Sequence, residues 1–210
     1  MDTFDLYKDI QCRTNGEIYL GVVGPVRSGK STFIKRFMDV LVLPKMTDEH
    51  AKERTVDELP QSASGKSIMT TEPKFVPKEA AEIQLAKDVS VLVRLIDCVG
   101  YMVEGAAGHM ENGAERLVKT PWNEKEIPFT KAAEIGTKKV IHDHSTIGIV
   151  VTTDGSIGEL PRNSYRAAEK KTIQELKSIG KPFVVLVNTR KPYSAEAKNV
   201  AEEIQEEYQV

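Results

Sequence analysis

Apolar residues along this chain fall into two kinds of pattern. Runs at 18–23, 89–96, 146–152 and 181–187 read as strands. Within three of these, 18–23, 147–152 and 183–187 are nearly continuous Val/Ile/Leu stretches, as expected of strands buried on both faces of a parallel sheet. The 89–96 run alternates more and is expected beside an edge. Segment Glu72 to Val76 is expected to form an edge strand itself. Between them lie helical periodicities. Lys30 to Leu41 carries Phe33, Ile34, Phe37, Met38 and Leu41 on one stripe. Residues 131–143 form a second candidate, and Ser164 to Ile179 a third, stopped by Gly180 and Pro182. Ala195 to Tyr208 is a fourth, with Val200 and Ile204 on one side and glutamates on the other.

Strand–helix alternation of this kind predicts an α/β fold with a mostly parallel sheet and helices on both faces. Two stretches break it. Residues 43–72 are polar and punctuated by Pro44, Pro60 and Gly65, and 100–130 hold four glycines, two prolines and the only tryptophan, Trp122. Both are expected as long loops, a length that in compact domains usually accompanies function. Phe4, Tyr7 and Ile10 or Gln11 suit one face of a short N-terminal helix, packed on its own domain or docked to a partner. The expected organisation is an extension over 1–16 and one domain over 17–210.

Composition narrows the function. The 210 residues are 40% hydrophobic and 29% charged, enough for a packed core. Lysine plus arginine (29) nearly balance aspartate plus glutamate (31), which argues against a dedicated nucleic-acid domain but leaves room for a small anion. Cys12 and Cys98 alone build no disulfide framework or zinc site, and a reducing cytoplasm is the natural setting. The start Met1-Asp2-Thr3-Phe4-Asp5 carries no secretory signal, and no apolar run approaches the ~20 residues of a spanning helix, so a soluble chain is expected.

The chemistry centres on Gly24-Pro25-Val26-Arg27-Ser28-Gly29-Lys30-Ser31, followed by Thr32. This satisfies GxxxxGK[S/T] and lies where it must, between a buried strand and an amphipathic helix. Glycines at 24 and 29 let backbone N–H groups converge on an anion, and the helix N-terminus adds partial positive charge. Lys30 would reach the β- and γ-phosphates of a nucleotide and Ser31 would ligate Mg²⁺. Arg27 either binds phosphate or shapes the loop. Asp97 ends the 89–96 strand, as the Walker B carboxylate does, and Asp97-Cys98-Val99-Gly100 also matches the DxxG of P-loop GTPases, in which Gly100 would contact the γ-phosphate. Thr70 or Thr71 stands where such proteins sense γ-phosphate and Mg²⁺.

Two departures from the GTPase pattern point to ATP. After the 183–187 strand comes Asn188-Thr189-Arg190-Lys191, so the asparagine of NKxD is present and its guanine-reading aspartate is absent. Guanine's donors would go unpaired there. Tyr101 replaces the glutamine that positions attacking water, so slow hydrolysis is expected, or a group borrowed from another subunit. His142, His144 and Glu202, Glu203, Glu206 and Glu207 are expected on solvated helix surfaces. Alternatives are a GTP-dependent switch, a small-molecule kinase, and a structural protein that uses nucleotide only as a folding ligand.

Residues 21–32, 67–77 and 97–101, with His144 to Gly148 and Thr152 to Gly155, resemble the stage IV sporulation protein A family, spore coat morphogenetic ATPases of spore-forming bacteria. The resemblance covers essentially the whole chain. It implies a branch of the translation-factor class of P-loop GTPases that has turned to ATP. Lys30 is then the Walker A lysine, Asp97 the Walker B acid, and Thr70 and Thr71 the sensor threonines. It further implies Mg²⁺-dependent ATP hydrolysis driving static self-assembly into the coat basement layer, in the mother-cell cytoplasm at the forespore outer membrane. Partners would be copies of the protein and other coat morphogenetic proteins. Membrane contact would be indirect, through a small amphipathic anchor peptide that docks on regions outside this chain. P-loop GTPase cores carry one more strand and helix after the 195–208 helix, so a fragment short of that unit is expected.

Overall fold

Adjacent valines at the end of one strand organise the packing. The computed structural model describes residues 16–60, 71–86, 89–111 and 113–210. In it, β1 (Glu17–Val23) is the middle strand of a five-stranded sheet. On one side it pairs in parallel with β3 (Val89–Asp97), Val22 lying opposite Asp97. On the other it pairs in parallel with β8 (Ile147–Thr153), Val23 opposite Val150. Beyond β8 runs β9 (Phe183–Asn188), also parallel, and β2 (Lys74–Ala86) lies antiparallel to β3, giving the order β2-β3-β1-β8-β9. As the alternating pattern of 89–96 implied, β3 sits next to an edge strand.

Side chains that alternate along these strands feed two cores. Val22, Val91, Val93, Leu95, Ile149 and Val151 pack with Ile34 and Met38 of the helix α1 (Lys30–Phe37) and its continuation. Val23, Ile96 and Val150 pack on the opposite face with α4 (Arg162–Ser178) and α5 (Ala195–Tyr208) through Tyr165, Ile173, Leu176, Ile204 and Tyr208. Both faces are therefore covered, which is why β1 and β8 read as unbroken apolar runs. The α4 end follows its sequence signal: Gly180 adopts φ +63, and Lys181 N–H donates to Leu176 C=O at 3.1 Å.

Three local expectations are corrected. The first helix does not stay α-helical to Leu41. It widens into a π turn at Met38–Val42 and then a 3₁₀ turn at Leu43–Lys45, which turns Leu41 outward and buries Val42 in its place. Residues 43–72 are not one long loop, because α2 (Glu49–Glu58) forms inside them. Its helix has little apolar stripe, but Asp48 caps it by accepting from His50 N–H at 2.9 Å and Ala51 N–H at 3.1 Å. Residues 100–130 fold into two short hairpins, β4 (Met110–Glu111) with β5 (Ala114–Glu115) and β6 (Leu117–Thr120) with β7 (Asn123–Pro128). The second hairpin leads into α3 (Phe129–Lys139), which ends in a π turn at Val140–His144.

That hairpin is seated on α3. Lys139 Nζ lies 5.8 Å from the Trp122 ring centroid, and the Arg116 guanidinium 4.4 Å from the Phe129 ring. A glycine stands at 136 within α3 for a steric reason: a Cβ there would stand 2.7 Å from the Thr71 carbonyl oxygen. His142 stays exposed and meets Glu175 at 2.7 Å, whereas His144 is half-buried edge-on to Phe75. The glutamates of α5 are exposed as expected, with Glu203 paired to Arg166. Among the described residues no helix is long and apolar enough to cross a membrane. The proposed N-terminal helix and Cys12 lie outside the described residues.

Candidate nucleotide site

The β1 strand delivers the chain to Gly24, and the next five residues turn back into α1. Gly24 and Gly29 take φ +130 and +95, and Arg27 between them takes φ +62. Arg27 is exposed, and its guanidinium donates to Ala107 C=O at 3.4 Å, so the chain shows it bridging to the 100–109 segment. Pro25 and Val26 are buried, and Ser28 is fully so. Thr32 is exposed one position past Ser31.

Lys30 and Ser31, at the start of α1, close this loop against its own backbone and against Asp97. Lys30 is only 5% exposed and its Nζ donates to the Pro25 carbonyl at 2.6 Å. Ser31 Oγ donates to Asp97 Oδ2 at 2.7 Å, which joins the first turn of α1 to the last residue of β3. Burial pushes the Lys30 amine below its usual range, opposed by the charges of Cys98 and Asp97. Burial likewise lifts the Asp97 carboxyl, opposed by the Ser31 hydrogen bond and the Lys30 charge. Neighbouring Cys98 is buried and its thiol is pushed up to about 11, so it is an inert core residue.

Gly100 has to be glycine. Its φ is +94, and a Cβ would collide with the Gly24 carbonyl oxygen and lie 2.6 Å from Lys30 Nζ. The DxxG segment is thus laid directly over the phosphate-binding loop. Asn188, at the end of β9, ties the same loop from the other side, its Nδ2 donating to Ser28 C=O at 3.1 Å.

Of the expected sensor threonines, Thr70 lies outside the described residues. Thr71 is buried, with its carbonyl against Gly136 of α3, and among the described residues no hydrogen bond joins it to Lys30, Ser31 or Asp97. Tyr101 is buried in the core that contains Val26 and α4.

A cluster absent from the sequence reading flanks the β9 end. Asp154, just beyond β8, accepts from Ser156 N–H at 2.9 Å, Ser156 Oγ at 2.6 Å and Thr189 Oγ1 at 2.5 Å. Arg190 N–H donates to Ser156 Oγ at 3.0 Å. Burial works against ionisation of Asp154, but the donors from Ser156 and Thr189 outweigh it and hold the carboxyl below its usual range. The signal available was Asp-Gly directly after a strand, a turn pattern too common to single out.

The residue set suits Mg²⁺ with a polyphosphate. A hydroxyl and a carboxylate are hard oxygen donors, and Asp97 Oδ1 and Ser28 Oγ are both buried without a hydrogen-bond partner. Orphaned polar atoms of this kind beside the phosphate-binding loop are what an incoming ion and anion would satisfy.

Comparison with known proteins identifies a family. The family model described as "Stage IV sporulation protein A, ATPase domain" matches residues 1–210. A stage IV sporulation protein A from Clostridioides difficile is 58% identical over 206 residues, 98% of this chain and 42% of its own length. Those of Bacillus anthracis and Bacillus subtilis are each 52% identical over all 210 residues, 43% of their own lengths. The chain therefore spans less than half the length of these relatives. Among solved structures, a mutation variant of SsGBP is similar at 17% identity and a TM-score of 0.43, covering 95% of this chain and 47% of that one.

Proposed function

We propose that this chain, which belongs to the family of the stage IV sporulation protein A ATPase domain, binds ATP with Mg²⁺ at Lys30, Ser31 and Asp97 and hydrolyses it during sporulation. The observation that carries this reading is the Ser31–Asp97 hydrogen bond at 2.7 Å beside the buried Lys30 amine. Ser31 and Asp97 would hold the metal, with Thr70 and Thr71 the candidates to complete its surroundings. Mg²⁺, when bound, supplies positive charge to the β- and γ-phosphate oxygens.

The chain's own groups do the rest. Lys30 exchanges its bond to Pro25 for phosphate oxygens, so its buried charge gains an anionic partner. The N–H groups of the first turn of α1 are oriented toward negative charge before it develops. Tyr101 leaves no glutamine-like side chain to orient the attacking water, so turnover is slow. On the base side the carboxylate available near β9, Asp154, is already filled by Ser156 and Thr189, and residue 191 is a lysine. Guanine's donors find no acceptor of the NKxD kind, and ATP is the substrate.

For the longer protein, hydrolysis is coupled to self-assembly in the coat basement layer at the forespore surface. Copies of itself are then the main partners. Contacts to other coat proteins and to an amphipathic anchor peptide belong to regions outside 1–210.

Turnover of ATP and GTP by the purified chain, with and without chelator, tests the site. ATP hydrolysis is expected to exceed GTP hydrolysis and to stop with chelator, and Lys30→Ala and Asp97→Ala are each expected to lose about 100-fold or more. Preferred GTP turnover overturns the base reading. Undiminished turnover in Lys30→Ala overturns the site. Sedimentation of the longer protein with ATP, against its Lys30→Ala variant, tests the coupling to assembly.

A further inference from the structure

Tyr101 is joined to the phosphate-binding loop by its main chain. Its N–H donates to the Gly24 carbonyl at 3.2 Å, and its carbonyl accepts from Val26 N–H at 2.8 Å, so Pro25 and Tyr101 form a parallel bridge past the end of the β1–β3 ladder. The two groups it engages are the main-chain groups that flank Pro25 at the start of the phosphate-binding loop. A ladder this short, one bridge beyond the end of the sheet, needs an anchor to persist against fraying.

The side chain provides that anchor. Tyr101 is 3% exposed, inside the core formed with Val26, Val103, Val140 and α4. The Lys171 ammonium lies 4.6 Å from its ring centroid, held there by Glu134 of α3 at 2.9 Å. The ring therefore clamps the start of the 100–130 segment between α3, α4 and the loop. Its hydroxyl takes no part: Tyr101 Oη is buried with no hydrogen-bond partner.

We propose that Tyr101 is a positioning residue whose buried ring, acting through its own backbone bridge, holds Gly24 to Val26 in the register that nucleotide phosphates require. The position that in GTPases carries a mobile, water-orienting glutamine here carries a fixed brace. This deepens the nucleotide reading and rests on it, but the brace can be measured without nucleotide.

Two readouts on the native chain, Tyr101→Phe, Tyr101→Ala, Tyr101→Gln and Ile173→Ala test it. Ile173→Ala opens a cavity in the same core without touching the loop and controls for lost stability. Amide hydrogen exchange of Val26, without nucleotide, reads the bridge. Protection at Val26 is expected to fall about tenfold or more in Tyr101→Ala and Tyr101→Gln and to hold in Tyr101→Phe and Ile173→Ala. Affinity for a non-hydrolysable ATP analogue is expected to weaken by about tenfold or more in the same two variants and to be kept by Tyr101→Phe. Equal losses in Ile173→Ala, or full protection of Val26 in Tyr101→Ala, overturn the proposal. Faster hydrolysis by Tyr101→Gln also overturns it, because residue 101 would then reach the water. A native chain that protects Val26 but binds no nucleotide refutes the nucleotide reading instead, and with it the brace's purpose.

Discussion

Lys30 and Asp97 are each driven toward their neutral form by burial, opposed at Lys30 by Cys98 and Asp97 and at Asp97 by the Ser31 hydrogen bond and the Lys30 charge. The linkage sign follows for the metal-free chain. Asp97 holds its proton in the folded state above the 3.8 of the unfolded chain, so its contribution to stability is largest at low pH and falls as pH rises from 3.8 through the raised folded value. Urea unfolding of the metal-free chain across this window should show that decline, and Asp97→Asn should flatten it. Superimposable curves for the two proteins would refute the account. At the base side, Lys191→Asp restores a carboxylate at the NKxD position. It is expected to move the kcat/KM ratio toward GTP by about tenfold, read from paired ATP and GTP assays. The candidate phosphate loop was legible at Gly24, Gly29, Lys30 and Ser31, because a phosphate cradle needs glycine, lysine and a hydroxyl at fixed spacing, whereas the expected sensor Thr71 lies against α3. The base half was legible only as an absence. Asp154 and Thr189 meet through a contact 35 positions apart in sequence, which no local pattern announces.

Elements with a strong apolar period were readable to within a few residues, since burial on both sheet faces leaves that period in the sequence. The helix α2 was not, because its existence depends on a cap and on contacts with β2 rather than on a stripe: Glu58 accepts from Lys78 N–H at 2.7 Å and only Thr55 is buried. Asp48→Ala should therefore destabilise this helix by removing its cap. The loss should be confined to α2, with hydrogen exchange of residues 50–58 rising while that of β1 and β8 is unchanged. A uniform rise across the sheet would contradict a purely local cap. The hairpins of 100–130 escaped notice for a related reason, since their strands are short and carry charged side chains outward.

For the molecule as a whole, the two cores are separated by the sheet, and the polar crossing between β8 and α4 is a buried ion pair. Arg162 grips Glu169 with both guanidinium nitrogens, at 2.6 and 2.8 Å, and Thr152 Oγ1 donates to the same carboxylate at 2.5 Å. Glu169 is 1% exposed, so Glu169→Ala strands a cation and should destabilise the fold by about 3–5 kcal/mol, seen as a lower urea midpoint. A loss below about 1 kcal/mol would mean that water replaces the carboxylate.

The seat of Trp122 on α3 has an optical consequence. It is the chain's sole tryptophan, its indole Nε1 is buried without a hydrogen-bond partner, and the Lys139 cation stands over the ring. Emission excited at the red edge of protein absorbance therefore comes from one address, on the 117–128 hairpin. Any lifting of that hairpin from α3, whether caused by nucleotide or by another molecule, would be read without a label as a shift of that fluorescence to the red.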